Sequence, residues 1–280
     1  GKTLLENAKE FSDTALVVLG RMGGEGTDLP FVQYRNTTGK YTVNDNMPTD
    51  YDRTYLDISR DEEALLEMVT ANFDKVIVLI NTCNSMNLNF LDDDRIDAAL
   101  QVNGTGQSGS YAIPKVLSGE VNPSARTANT QVYDLSTDPT FMNAGGKSAS
   151  SGYVTYAEDI YVGYKWYETA DAEGYWDDVD NEYGKGYEGV VQYPFGYGLS
   201  YTSFEYSDFS VNKNGDDYEV SVTVKNSGGK AGSTPVQIYL QKPYTDYDKA
   251  NGIEKAAVEL AGFTKTDVLE PVSYTHLTLP

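Results

Sequence analysis

Glu25 lies in the stretch Gly20-Arg21-Met22-Gly23-Gly24-Glu25-Gly26-Thr27-Asp28, directly behind the apolar run Ala15-Leu16-Val17-Val18-Leu19. Glycines on both sides of it remove Cβ bulk and allow φ > 0, so the backbone can turn sharply and a bulky partner can approach the carboxyl group. A carboxyl presented in this way suits a chemical reagent better than a surface charge; the competing reading is a solvated glutamate in a Gly-rich turn. Two more polar groups share the loop. Arg21 is a candidate to face substrate hydroxyls or to pair with Asp28, because pairing with Glu25 would lower that carboxyl's pKa. Asp28 is either the neighbouring carboxylate that raises the Glu25 pKa or a turn aspartate bonded to its own backbone.

These residues need a scaffold. A short apolar run ending in glycine predicts a strand over residues 13–20 of a parallel α/β sheet, and such sheets place ligands beyond the carboxyl ends of their strands. Ser59-Arg60-Asp61-Glu62 is a capping box that opens a helix, with Leu65, Leu66, Met68, Val69 and Phe73 on its apolar positions. Residues 75–81 form the clearest buried strand and residues 96–102 a third. A Gly-rich segment at 104–109 then leads into a short helix through Ile113 and Leu117, whose start near Ser110 follows from Pro114. The pattern predicts a parallel sheet with covered faces. The polar stretch 29–58 is long for a strand-to-helix connection and is either a lid or specificity loop or a surface insertion. From Asn122-Pro123 to about Tyr193 the chain is rich in Gly, Ser, Tyr and Asp, without helical period. After Thr202 the period becomes two, with strands over 218–224 and 236–240 and a turn at Asn226-Ser227-Gly228-Gly229. Val222, Val224, Ile238 and Leu240 mark the buried face of a small β-sandwich.

Composition narrows the function. Forty-two acidic against 21 basic residues give a formal charge of −21 over 280 residues, which repels phosphate backbones and anionic lipid, so nucleic acid and membrane surfaces are poor partners. No stretch approaches the roughly 20 apolar residues needed to span a bilayer. A neutral sugar feels no such repulsion, and 23 Tyr with 2 Trp offer faces and hydroxyls that suit it. Cys83 is the only cysteine, read as a small core hydrophobe at the end of a strand; it excludes an intrachain disulfide and a cysteine zinc cluster. His276 is the only histidine and lies in the last nine residues, so Ser-His-Asp and Cys-His mechanisms have no base in the rest of the chain. No metal and no cofactor is expected. A dinucleotide site would require Gly-x-Gly-x-x-Gly opening directly into a helix, whereas Pro30 and a polar stretch follow here.

Together with the Glu25 loop, Tyr161-Val162-Gly163-Tyr164-Lys165-Trp166-Tyr167 and Tyr193-Pro194-Phe195-Gly196-Tyr197-Gly198-Leu199-Ser200-Tyr201-Thr202 resemble the carboxy-terminal half of family 3 glycoside hydrolases, the β-glucosidase type. The resemblance runs from about residue 13 to residue 271. It implies that Glu25 is the general acid/base of a retaining two-carboxylate mechanism on an oligosaccharide or β-glucoside. The nucleophile, an Asp, would stand on a (β/α)₈ barrel that precedes this segment, with Arg21 and Asp28 as substrate-side residues. Its implied fold class is α/β, a parallel-sheet α/β sandwich domain followed by an all-β fibronectin-III-like sandwich. The expected domains are 1–130, a wrapping linker over 131–202 and the sandwich over 203–271. Residues 272–280 resemble translated sequencing-adapter readthrough, where the family continues through a Pro-Gly turn into another strand; they are expected to be a non-native tail. Two positions depart from the family: Leu29, where Arg is common, and Ala125 in Asn122-Pro123-Ser124-Ala125-Arg126, where Gly is usual. The alternative function is a non-catalytic carbohydrate-binding or cell-surface module, since the segment holds a sandwich, many Tyr and half of a site.

Overall fold

Three apolar runs become one parallel sheet in the computed structural model, which describes residues 1–21, 52–143 and 156–279. Its strands are Thr14–Gly20, Lys75–Asn81 and Ala98–Gln101, with Lys75–Asn81 in the centre. Thr14 stands beside Lys75 and Gly20 beside Asn81, so both strands end together at their carboxyl side. The central strand buries Val76, Val78, Leu79 and Ile80. In Thr14–Gly20 alternation sends Val17 and Leu19 inward, while Leu16 and Val18 are 53% and 59% exposed. The expectation of covered faces therefore fails on one side of this outer strand. The helix Arg60–Thr70 starts at Ser59 with both arms of the capping box made, and it turns Leu66 and Val69 inward. Leu65 and Met68 stay exposed, because at 3.6 residues per turn only one stripe of the helix can face the sheet. Cys83 is exposed rather than a core residue: the strand has already ended at Asn81.

The chain divides into two compact units, residues 1–109 with 131–135, and residues 110–130 with 136–280. The boundary expected at 130 is thus displaced, and hydrogen bonds show why. Asn122 Oδ1 accepts from Ser200 Oγ at 3.0 Å and Tyr201 N at 2.8 Å, while its Nδ2 donates to Ala231 O at 3.0 Å. Thr127 N donates to Tyr197 O, and Gly196 N donates back to Thr127 O, each at 2.8 Å. The glycines of the Pro194–Thr202 motif are needed here. Gly196 has φ +80°, and a Cβ on it would meet Gln237 Oε1 at 2.5 Å; one on Gly198 would meet Ala125 O at 2.8 Å. Ala125 itself is not in the left-handed region, so its replacement of the usual Gly carries no backbone strain.

Within the second unit a helix, Ala112–Leu117, follows a 3₁₀ turn at Gly109–Tyr111, which keeps Pro114 in the first helical turn as expected. The stretch read as lacking helical period contains a helix at Tyr164–Ala172 that buries Tyr167 and Ala170. Tyr167 stacks on Trp176 with centroids 6.2 Å apart, and Trp166 meets Trp176 and Tyr175 edge-on at 6.0 and 5.6 Å. Both indole N–H groups are bonded to carbonyls, Trp166 to Thr137 O and Trp176 to Tyr167 O. Much of the aromatic content is therefore packing.

The antiparallel half holds a three-stranded sheet in the order Tyr274–Leu279, Asp217–Asn226, Phe204–Asn214, and a pair formed by Pro235–Leu240 and Glu259–Lys265. Val222, Val224, Val236 and Leu269 form its core, with Phe204, Ile238 and Leu277 packed on them. Leu240 was expected inside but is 48% exposed. Leu240 is the last residue of its strand, and the pairing shifts just before it: Ile238 faces Gly262 and Tyr239 faces Leu260, so Ala261 is an extra, bulged residue on the partner strand. Asn226 is fully buried, and both of its amide ends are satisfied. Nδ2 donates to Lys230 O and Leu269 O, and Oδ1 accepts from Thr202 Oγ1 and Gly228 N. Residues 274–279 pair with 220–225 as an edge strand, and Thr223 Oγ1 lies 2.8 Å from His276 Nδ1. Leu277 and Leu279 face inward and Tyr274 outward, so Tyr274 and Leu277 have opposite phase, as the sequence indicates.

Candidate functional site

Arg21 is the first residue past the carboxyl end of Thr14–Gly20, and its N–H still reaches Asn81 O at 3.4 Å. Its side chain is 3% exposed. Nε donates to Tyr55 O at 2.6 Å, Nη1 to Gly20 O and Glu62 Oε1 at 2.8 Å each, and Nη2 to Asp57 O at 2.5 Å and Glu62 Oε2 at 2.9 Å. A guanidinium has five N–H donors in a fixed fork, and all of them are used. Among the described residues these donors all go to protein oxygens of Gly20, Tyr55, Asp57 and Glu62. The Tyr55 ring adds a cation–π contact, with the guanidinium carbon 5.4 Å from its centroid.

Glu62 carries two tasks at once. Its Oε2 accepts from Ser59 N at 2.8 Å, completing the capping box, while both oxygens hold Arg21 as a forked pair. Burial pushes the Glu62 carboxyl up, but the hydrogen bonds from Arg21 and from the Ser59 N–H outweigh it and leave the group below its ordinary range. The pair also neutralises Arg21, so the cation expected to depress a neighbouring carboxyl is already compensated.

The chain returns from the Gly-rich loop into an equally knitted segment. Asp57 Oδ2 accepts from Thr54 N and Oγ1 at 2.7 and 2.8 Å, and Asn87 Nδ2 donates to Asp57 Oδ1. Asn87 N donates to Leu56 O at 3.0 Å. Arg60 forms a forked pair with Asp52, and Arg53 bonds Ile58 O and Glu63. Glu25 and Asp28 lie outside the described residues, as do Leu29 and nearly all of the polar stretch that follows it. The structure thus brings Arg21 together with Glu62, Asp57 and Tyr55, residues that sequence reasoning did not place at the site. Of these, only Glu62 was marked in the sequence, and only as the carboxylate of a capping box.

A parallel sheet whose first strand is followed in the sequence by a Gly-rich stretch does not by itself say which ligand binds at its carboxyl edge. The comparisons with known proteins identify the family. Residues 3–164 match the glycosyl hydrolase family 3 C-terminal domain, and the chain belongs to that family. The β-glucosidase of Ruminococcus albus is 33% identical over 277 residues, which are 99% of this chain and 24% of its own length. The exo-α-(1→6)-L-arabinopyranosidase of Bifidobacterium longum is 32% identical over 216 residues, 77% of this chain and 25% of its own length. The solved structure of β-glucosidase 3B from Thermotoga neapolitana in complex with α-D-glucose matches with a TM-score of 0.75 and 30% identity, over 98% of this chain and 33% of that one. This chain spans about a quarter to a third of the length of these relatives. Among the described residues no helix is long and apolar enough to cross a membrane.

Proposed function

We propose that this chain is the carboxy-terminal part of a β-glucosidase-type glycoside hydrolase, in which Glu25 is the general acid/base. The observation that carries the reading is positional. In a family 3 domain, Glu25 follows by five residues the carboxyl end of the first strand of the parallel sheet, flanked by glycines. Glu25 would protonate the leaving oxygen while a second carboxylate attacks the anomeric carbon; it would then take a proton from the water that releases the sugar. That second carboxylate, an Asp on a (β/α)₈ barrel, is assigned to the part of the relatives' length that this chain does not span. Asp28 is assigned to the loop beside Glu25, where a neighbouring carboxylate would keep the Glu25 proton in place. Terminal β-linked glucose is the proposed substrate group, in line with the names of the relatives from R. albus and T. neapolitana. The antiparallel half is read as fibronectin-III-like. Trp166 and Trp176, the widest stacking faces in the chain, pack on each other and on Tyr175 and Tyr167, which favours the catalytic reading over a sugar-binding module.

The 280-residue chain on its own is expected to turn over aryl β-glucosides no faster than its Glu25→Gln variant, because retention needs two carboxyl groups about 5 to 5.5 Å apart and it supplies one. Hydrolysis by the purified wild-type chain clearly above that of the variant would show that both carboxylates lie within it and would overturn the assignment of the nucleophile.

A further inference from the structure

Buried Arg21 and half-buried Glu62 form a pair whose bonds do more than hold a helix end. The guanidinium bonds the carbonyl before it, Gly20 O, and the carbonyls of Tyr55 and Asp57, which lie 34 and 36 residues further along the chain. One planar group therefore ties together the point where the chain leaves the sheet and the point where it comes back, and Glu62 fixes that group to the first turn of Arg60–Thr70. The returning end is braced independently by Asp57, through Thr54 and Asn87. In the sequence Glu25 lies between these two tied ends. Glu25 is only four residues from Arg21, so an error in the direction in which the chain leaves Arg21 has little length over which to be corrected.

We propose that Arg21, held by Glu62, is a positioning residue for Glu25: it sets where the acid/base loop leaves the sheet edge, without touching the substrate. The inference rests on the assignment of Glu25 as general acid/base. Misplacing a reacting group by about 1 Å can lower a rate about 100-fold. A misplaced proton donor harms only reactions that need the proton. The loss in an Arg21 variant should therefore grow as the leaving group becomes poorer.

The test uses the full-length enzyme and a series of aryl and alkyl β-glucosides from dinitrophenyl to methyl. It measures kcat/KM for Arg21→Met, Arg21→Lys, Glu62→Gln and, in parallel, Glu25→Gln. Arg21→Met is expected to lose about 10- to 100-fold on the poorest leaving group and less than about threefold on the best. Arg21→Lys should lie between it and wild type, since an ammonium keeps the charge but not the fork. Glu62→Gln should show the same trend as Arg21→Met, and it keeps the test open should Arg21→Met fail to fold. A loss that is equal across all leaving groups in Arg21→Lys and Glu62→Gln, while Glu25→Gln shows a steep dependence, would overturn the positioning role and leave Glu25 standing. A flat dependence in Glu25→Gln itself would overturn both.

Discussion

Glu25→Gln in the full-length enzyme is expected to lower kcat/KM by about 10²- to 10⁴-fold on glucosides with poor leaving groups, and by less than about tenfold on dinitrophenyl glucoside. The amide matches the carboxyl in shape and can still accept a hydrogen bond, but it has no acidic proton to give. An alkoxide cannot leave without that proton, whereas dinitrophenolate can. The parameter matters, because kcat/KM reports the steps up to formation of the glycosyl-enzyme. On the activated substrate kcat should fall even though kcat/KM is spared, since release of the sugar still needs a base to take the proton from water. Equal losses of kcat/KM on both substrate types would mean that Glu25 only supports the loop.

Val272→Gly is expected to stabilise the protein. Residues Glu270 to Ser273 form a tight turn, with Ser273 N donating to Glu270 O at 3.0 Å, Pro271 in the second position and Val272 at φ +67° in the third. Proline followed by a positive φ is the type II pattern, which favours glycine in the third position. A β-branched residue is held there against its own Cβ, at about 1 to 2 kcal/mol. Val272 is 72% exposed, so removing its side chain gives up little burial. The added freedom of glycine in the unfolded chain offsets up to about 1 kcal/mol, leaving a net gain of about 0.5 to 1 kcal/mol, or about 1 to 4 °C in Tm. Val272→Ala keeps the Cβ and should gain nothing. A Tm for Val272→Gly at or below wild type would contradict the turn geometry. The strand that follows, Tyr274–Leu279, pairs with Asp217–Asn226.

The scaffold of the candidate site was more legible than its contacts. Lys75–Asn81 stands out because a continuous apolar run, mostly β-branched and bounded by polar residues, has few other uses. Arg60–Thr70 announces itself through a capping box, a local signal contained in four residues. Tyr164–Ala172 does not: Gly163 caps it without a side chain, its residues include Tyr, Trp and Thr, and only Tyr167 and Ala170 are buried, too few to show a period. The register shift beside Leu240 comes from Ala261 on a partner strand about 20 residues away and leaves no mark in the alternation of Pro235–Leu240 itself. Arg21 is the clearest case at the site. Its presence beside Glu25 was plain, but its partners lie 34 to 41 residues further on, and a single sequence carries no signal of a pairing at that distance. Glu62 was visible only as a helix cap, since nothing local shows that a capping carboxylate still has lone pairs for a second cation.

The most direct test of the central claim is rescue of Glu25→Ala in the full-length enzyme by azide, with dinitrophenyl β-glucoside as substrate. Azide is a nucleophile that needs no general base, and the space left by the shortened side chain admits it to the anomeric carbon of the glycosyl-enzyme. With Glu25 as the acid/base of a retaining enzyme, azide should raise kcat in proportion to its concentration until another step limits, and the product should be β-glucosyl azide. A kcat that does not respond to azide, with glucose as the only product, would contradict the assignment of Glu25.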